Sequence, residues 1–478
     1  MTRAAGVLVA LLVATGATAS AAPVPFPQVD VSRAAGTEAE VAVVVDPNDP
    51  NRLLGGSGTF ERSAVRAYSS LDGGATWTSE RILVPRAKPE LCAAGDPAVA
   101  IDGTGAQFYA FLAVHCDDFA FEGAEELAER GERLVDIFIL LASRSSAAAP
   151  WRVRLPFSHR ETFTDDKEAL VVDNSPASSH RGRLYLAFTR YEGILPPRIL
   201  VSRSDDHGAT WSRPVPVSDG RQLETFASLA VGSAGELYVA WMTVDRRVYV
   251  DRSLDGGAHF GTDVFVDRGI GYPGGFCRFP GAAVSIPAQP RRCVTMNPQV
   301  SVDVSSGPRR GTVYVTYAGA GANGIEQNVY AAAFDARLRP LRGMPAGARV
   351  QVNAPDPATY TADQFLPASA VDQANGDLWA CFYDTIGDRR RIKSWFSCTV
   401  SGDGGATWAP QVRAASVSSN ETVRQAREFE YGDYEGVAAA AGVAHPLWTD
   451  SRYLATSLRD EIYATSVPRE SVATPAAP

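Results

Sequence analysis

Short apolar stretches alternate with polar turns along almost the whole chain, and they come in pairs. An apolar strand, an aspartate-centred turn and a second apolar strand make one phrase. Asp96-Pro97-Ala98-Val99-Ala100-Ile101-Asp102 leads in this way into Gln107-Phe108-Tyr109-Ala110-Phe111-Leu112. The order returns as Leu229-Ala230-Val231 before Glu236-Leu237-Tyr238-Val239-Ala240-Trp241, and as Gln299-Val300-Ser301-Val302-Asp303 before Thr312-Val313-Tyr314-Val315. Runs this short, rich in β-branched and aromatic residues and bounded by Asp and Gly, predict strands. A second phrase, Ser-x-Asp-x-Gly-x-Thr-Trp, stands at 70–77, 204–211 and 401–408, with a weaker copy at 253–260. Together the two phrases give about four strands per unit, with units starting near residues 38, 95, 166, 224, 296, 364 and 432. A repeated four-stranded unit is a propeller blade. The expectation is an all-β chain folded as one β-propeller of seven blades, with six as second choice.

The second phrase has a structural reading. Asp and Gly build a tight hairpin turn, with the carboxylate of Asp72, Asp206, Asp255 or Asp403 accepting backbone N–H bonds from it. Gly supplies the positive-φ position. The aromatic residue at the end, Trp77, Trp211, Phe260 or Trp408, folds back and buries an apolar face. Units two and five lack a good copy, and Trp151 and Phe334-Asp335 read as remnants. The last unit ends one strand short. Pro27-Gln28-Val29-Asp30-Val31-Ser32 resembles the outer-strand segments at 214–218 and 349–353, so the N-terminal strand is predicted to close the last blade. Such closure removes sheet edges. Two insertions interrupt the pattern: a charged, helix-prone stretch at 115–135 and a Gly/Pro/Cys-rich one at 269–292.

The ends and the composition add location. Arg3, the apolar run at 7–14 and the small residues at 17–22 have the order of a secretory signal peptide. The run is too short to span a bilayer and no second long one follows. The domain reading is therefore a signal peptide at 1–22, the propeller at 23–467 and a flexible Pro/Ala-rich tail at 468–478, in a secreted or periplasmic monomer with no membrane span. The net charge of −9 works against a nucleic-acid partner. Six cysteines fall in three local pairs, Cys92/Cys116, Cys277/Cys293 and Cys381/Cys398. An even count in an exported chain favours disulfides; free thiols or a metal site are the alternative, though no CxxC or CxxH spacing supports a metal.

These Asp boxes and strand phrases resemble the bacterial BNR/Asp-box, sialidase-like superfamily over nearly all of the mature chain. The segments Asp363–Asp372, Asn375–Thr385 and Tyr431–Ala439 resemble its exo-α-sialidase-like subgroup. The resemblance implies a propeller and a retaining glycosidase with an arginine triad, a Tyr nucleophile paired with a Glu, and an Asp acid/base. The chain differs from that pattern: the Arg-Ile-Pro phrase before the first box is absent. Arg52, Arg62 and Arg66 lie there without it, and Arg81-Ile82-Leu83 follows the box instead.

Aligning the units places Glu40, Asp96, Lys167, Phe226, Asn297, Leu366 and Asp433 at equivalent starts of the innermost strands, which line a propeller's tunnel mouth. Blades seven, one and two adjoin in a closed ring, so Asp433, Glu40 and Asp96 are expected to cluster. Crowded carboxylates either keep a proton or bind a cation, and Ca²⁺ is the candidate metal. The catalytic candidates are Asp96, Glu40 and Asp433, with Tyr434, Glu435 and Tyr431 beside them in sequence. The alternative reading is that these acids cap strand ends. Two functions follow: a binding propeller that presents its mouth to a glycan or an extracellular protein, or a glycoside hydrolase, sialidase first. No cofactor is required for either.

Overall fold

The computed structural model describes residues 26–472 apart from 34–35, 60, 87–89, 118–135, 157–162, 193–194, 221, 270–283, 322–323, 342–348, 424–429 and 454–458. Seven antiparallel sheets follow one another along the chain, each beginning with an innermost strand: Glu38–Asp46, Leu91–Ile101, Phe163–Val172, Glu224–Val231, Gln299–Val302, Gln364–Asp372 and Gly436–Ala440. Six of the sheets run in sequence order from the inner to the outer strand. The seventh takes Gln28–Asp30 as its outermost strand, with Gln28 opposite Thr465, Val29 opposite Ala464 and Asp30 opposite Tyr463. The predicted seven blades and the N-terminal closing strand are both observed.

The core lies between blades rather than in one central mass. Apolar clusters join neighbouring pairs: Leu54, Tyr109 and Leu140 between blades one and two, Phe108, Leu141 and Leu186 between two and three, and Trp379, Phe396 and Trp448 between six and seven. Val41, Tyr68 and Leu447 close the ring between blades seven and one. Trp241, Trp379 and Trp448, at equivalent second-strand positions, are all fully buried. A sheet buried on both faces requires near-continuous apolar strands, which is why the second strands read as unbroken apolar runs.

Each Asp box is a clasp. Thr76 donates to Asp72 through its backbone N–H at 2.8 Å and its hydroxyl at 2.6 Å, and the Trp77 indole donates to the Gly74 carbonyl at 3.1 Å. The boxes of Asp206 and Asp403 repeat the aspartate bonds. At Asp255 the imidazole of His259 replaces the threonine hydroxyl. Asp335, the expected remnant in blade five, accepts from the N–H groups of Arg337 and Arg339. The hydrogen bonds of Thr210 hold the Asp206 carboxyl at about 2, below the usual carboxylate range.

Cys92–Cys116 and Cys381–Cys398 are disulfides, the second between residues directly opposite on neighbouring strands. Cys293 is also disulfide-bonded, and its expected partner Cys277 lies outside the described residues. So do the leader at 1–22 and most of the insertion at 115–135. The chain's end departs from expectation. Val467–Pro468 pairs with Val443–Ala444 and Val472 is buried, so the docked chain extends past 468. Val467 and Val472 give the segment apolar side chains to bury. No helix is long and apolar enough to cross a membrane among the described residues.

Candidate functional site

The turns within each blade's first and last strand pairs gather at one end of the ring. There Asn48, in the first turn of blade one, donates to Gly103 in the first turn of blade two, and Gly73 of the first Asp box donates to Asn51. The inner strands begin at the opposite end, the mouth. At each start the chain makes a bulge. Glu40, Asp96, Lys167, Phe226, Asn297 and Leu366 all adopt positive φ, between 42° and 59°. A side chain at positive φ is unfavourable by about 1–3 kcal/mol, yet the six equivalent positions share it. In blade seven the left-handed residue is Gly432, one before the expected Asp433. Glycine is required there, since a Cβ would meet the Glu40 side chain at 2.5 Å.

The bulges bring together the acids predicted to cluster. Glu40 and Asp96 share a hydrogen bond, and burial first, then repulsion from Asp96, pushes Glu40 well above the usual carboxylate range. Burial also raises Asp96. Asp433 behaves oppositely: burial would raise it, but the charge and hydrogen bonds of Arg292 hold it below the usual range. Asp166, also at the mouth, is pushed up by burial to about 6. One shared proton and one arginine resolve the repulsion among three close carboxylates.

Arg292 is the residue that sequence reasoning missed. Its guanidinium donates to Asp433 at 2.7 and 2.9 Å and to Glu40 at 2.7 Å. It is delivered by a hairpin, Val284–Ile286 paired with Gln289–Val294, from the end of the second insertion. The hairpin is anchored: Ile286, Ala288 and Val294 are buried against blades six and seven. Glu430 accepts from the backbone N–H groups of Arg291 and Arg292, and Gln289 donates to the Gly432 carbonyl at 2.9 Å. The one available signal was Arg291-Arg292 beside Cys293 in an insertion too long for a simple turn.

Lys167 takes the other side of the mouth. Its ammonium lies 4.0 Å from Asp96, 2.9 Å from the centre of the Tyr434 ring and 5.0 Å from that of Phe226. Lys167 comes from blade three and Tyr434 from the start of blade seven, so this contact spans the tunnel. Tyr434, Phe226, Asp166 and Asp433 remain partly exposed, whereas Glu40, Asp96, Lys167 and Arg292 are buried. Glu168 is buried beside them with neither carboxylate oxygen hydrogen-bonded.

Two catalytic candidates stand apart from this group. Tyr431 is fully buried and its hydroxyl bonds to Ser394 at 2.8 Å. Glu435 accepts from the Tyr383 hydroxyl at 2.7 Å and from the Thr449 N–H at 3.1 Å. Tyr383–Glu435 is a tyrosine–glutamate pair, but Tyr383 is fully buried and packed against Phe365, Phe396 and Tyr431. These residues precede the strand Gly436–Ala440, in a turn whose left-handed Gly432 breaks strand alternation, so Tyr431 and Glu435 pack toward blade six while Asp433 and Tyr434 meet Arg292 and Lys167.

The Ca²⁺ expectation does not fit these residues. Arg292 already neutralises Glu40 and Asp433, and no group of three His, Cys, Asp or Glu side chains among the described residues is placed to hold a metal ion. Four arginines at the mouth end are likewise paired, Arg66 with Glu38 at 2.7 Å, Arg190 with Asp165 at 2.6 Å, Arg391 with Asp363 at 2.5 Å and Arg452 with Asp450 at 2.7 Å, whereas Arg246 has two buried nitrogens without a hydrogen-bond partner among the described residues. Each of the four paired guanidinium groups is held by a buried carboxylate.

No family model matches the sequence, and no curated protein matches it. Solved structures of similar shape exist. A PL25 ulvan lyase superposes with a TM-score of 0.51 at 10% identity, over 93% of this chain and 96% of the lyase. The GH93 α-L-arabinofuranosidase of Fusarium graminearum gives 0.46 at 9% identity, over 94% and 97%. Trypanosoma rangeli sialidase gives 0.43 at 12%, over 74% and 54%. At such identities the likeness is one of fold: the chain is a seven-bladed β-propeller.

Proposed function

We propose that the protein is an exported, monomeric glycan-binding propeller whose ligand seats on the tunnel mouth, against Tyr434, Phe226 and the Lys167 held between them. One observation carries this reading. Arg292 ties Glu40 and Asp433 together from an anchored hairpin, while the partly exposed rings of Tyr434 and Phe226 stand against Lys167. A half-exposed aromatic beside fixed polar groups suits a sugar, whose ring presents an apolar face and a hydroxyl edge. The disulfides favour an oxidising compartment, hence export. A glycan is the first ligand class to test, because a propeller of similar shape has been solved with -[GlcA(1-4)Rha3S]- bound.

The test is titration of the intact protein with a panel of oligosaccharides, followed by heat release and by product analysis. Saturable binding without product, weakened about tenfold in Lys167→Met through loss of the cation held on the aromatic faces, is expected. Binding to none of the panel, or undiminished binding by the variant, overturns the reading. The Glu40–Asp96 pair favours a second reading, a glycoside hydrolase in which protonated Glu40 is the general acid. Turnover of a fluorogenic glycoside that disappears in Glu40→Gln would establish it in place of the first.

A further inference from the structure

We propose a second binding site at the opposite end of the ring: the groove between blades two and three, which takes an acidic polysaccharide through Arg152 and Arg154. The groove begins with a lost Asp box. Strand register aligns Ser143, opposite Phe108, with Ser204, opposite Leu184. Ser145 therefore stands where blade three has Asp206, and the turn that follows runs Ser146-Ala147-Ala148-Ala149-Pro150. Without the aspartate clasp a cavity of about 380 Å³ opens beside the Asp206 turn of blade three.

Two arginines on one side of this cavity have no side-chain partner among the described residues. Arg152 and Arg154 are alternate residues of the outermost strand of blade two, so their side chains lie on the same face, about 7 Å apart at the usual rise of a strand. Both are exposed and line the cavity, and neither makes an ion pair or side-chain hydrogen bond. The third arginine, Arg144, is committed: it pairs with Glu80 and Gln107 at 2.7 Å each and stacks on Trp151. The acids nearby are engaged. Asp206 is held in its clasp, and Asp102 accepts from the Thr104 hydroxyl and lies 3.5 Å from His207.

The lining identifies the ligand class. An arginine fork matches a carboxylate or sulfate, making two bonds at once. Around the forks stand the hydroxyls of Ser143, Ser145 and Thr104, and the one large apolar side chain, Phe108, is buried. Hydroxyls and guanidinium groups, with only small apolar residues such as Ala149 and Pro150 between them, suit a polyhydroxylated chain with repeated anionic groups. In a chain of net charge −9, two unpaired arginines are too few for a nucleic acid's dense phosphates.

The experiment measures affinity of the full chain for polygalacturonate, which presents carboxylates, for heparin, which presents sulfates as well, and for neutral dextran. Wild type is expected to bind at least one acidic polymer and not dextran, the difference between the two polymers naming the anionic group. The double variant Arg152→Glu, Arg154→Glu should lose at least tenfold in affinity with an unchanged melting temperature. Failure to bind either acidic polymer, equal binding by the double variant, or equally tight binding of duplex DNA overturns the proposal.

Discussion

At the scale of single residues, the mouth is governed by one proton and one guanidinium. Arg292 is buried and holds two carboxylates that burial would otherwise force toward protonation. Its removal leaves buried Glu40 without its donor and Asp433 with only Lys167 as counter-charge, a loss of about 3–5 kcal/mol for a broken buried pair. Arg292→Ala should therefore lower stability by about that amount in urea unfolding, whereas a loss under 1 kcal/mol would mean the pair is solvated. Glu40, Asp96 and Asp433 were legible in the sequence because the repeats align their positions. Arg292 was not, because it comes from outside the repeat, and nothing in an irregular insertion fixes where its side chain reaches. Tyr431 and Glu435 misled for a related reason: adjacency to Asp433 in sequence says little about which face of the chain a residue takes.

The elements of this fold are legible wherever a local rule sets them. The Asp box needs only eight consecutive residues, and the structure repeats its bonds in blade after blade. Asp206→Asn should cost about 1 kcal/mol at neutral pH, the scale of a surface turn's hydrogen bonds. The pH dependence has a definite sign. Because the folded-state carboxyl is depressed to about 2, its contribution is complete above the ordinary value near 4 and disappears as pH falls through 2. The stability difference between wild type and variant should accordingly close across that window in thermal melts; a gap that persists at pH 2 would show the carboxylate charge to be irrelevant to the clasp. The hairpin at 284–294 was less legible, since its strands are short and its burial depends on blades six and seven, distant in sequence.

At the scale of the molecule, the ring is held shut by its N-terminal strand, whose three residues complete blade seven. Deleting residues 26–32 should expose the edge at Glu461–Thr465, remove buried Val31 and lower the melting temperature by several degrees, with self-association measurable by light scattering. Unchanged melting and a monomeric profile would contradict that role. Blade number and closure followed from repetition; the function did not, because the propeller supports many chemistries and the Asp boxes lie at the end away from the mouth. The arrangement of the mouth makes the functional claim: Arg292 holds Glu40 and Asp433, and the partly exposed rings of Tyr434 and Phe226 flank Lys167. The most direct test is a crystal structure of the protein with a bound oligosaccharide from the panel. A sugar ring against Tyr434 and Phe226, with Arg292 still bridging Glu40 and Asp433, is the predicted result; a sugar lodged elsewhere, or Arg292 displaced to leave the carboxyl groups of Glu40 and Asp96 around a glycosidic bond, would contradict it.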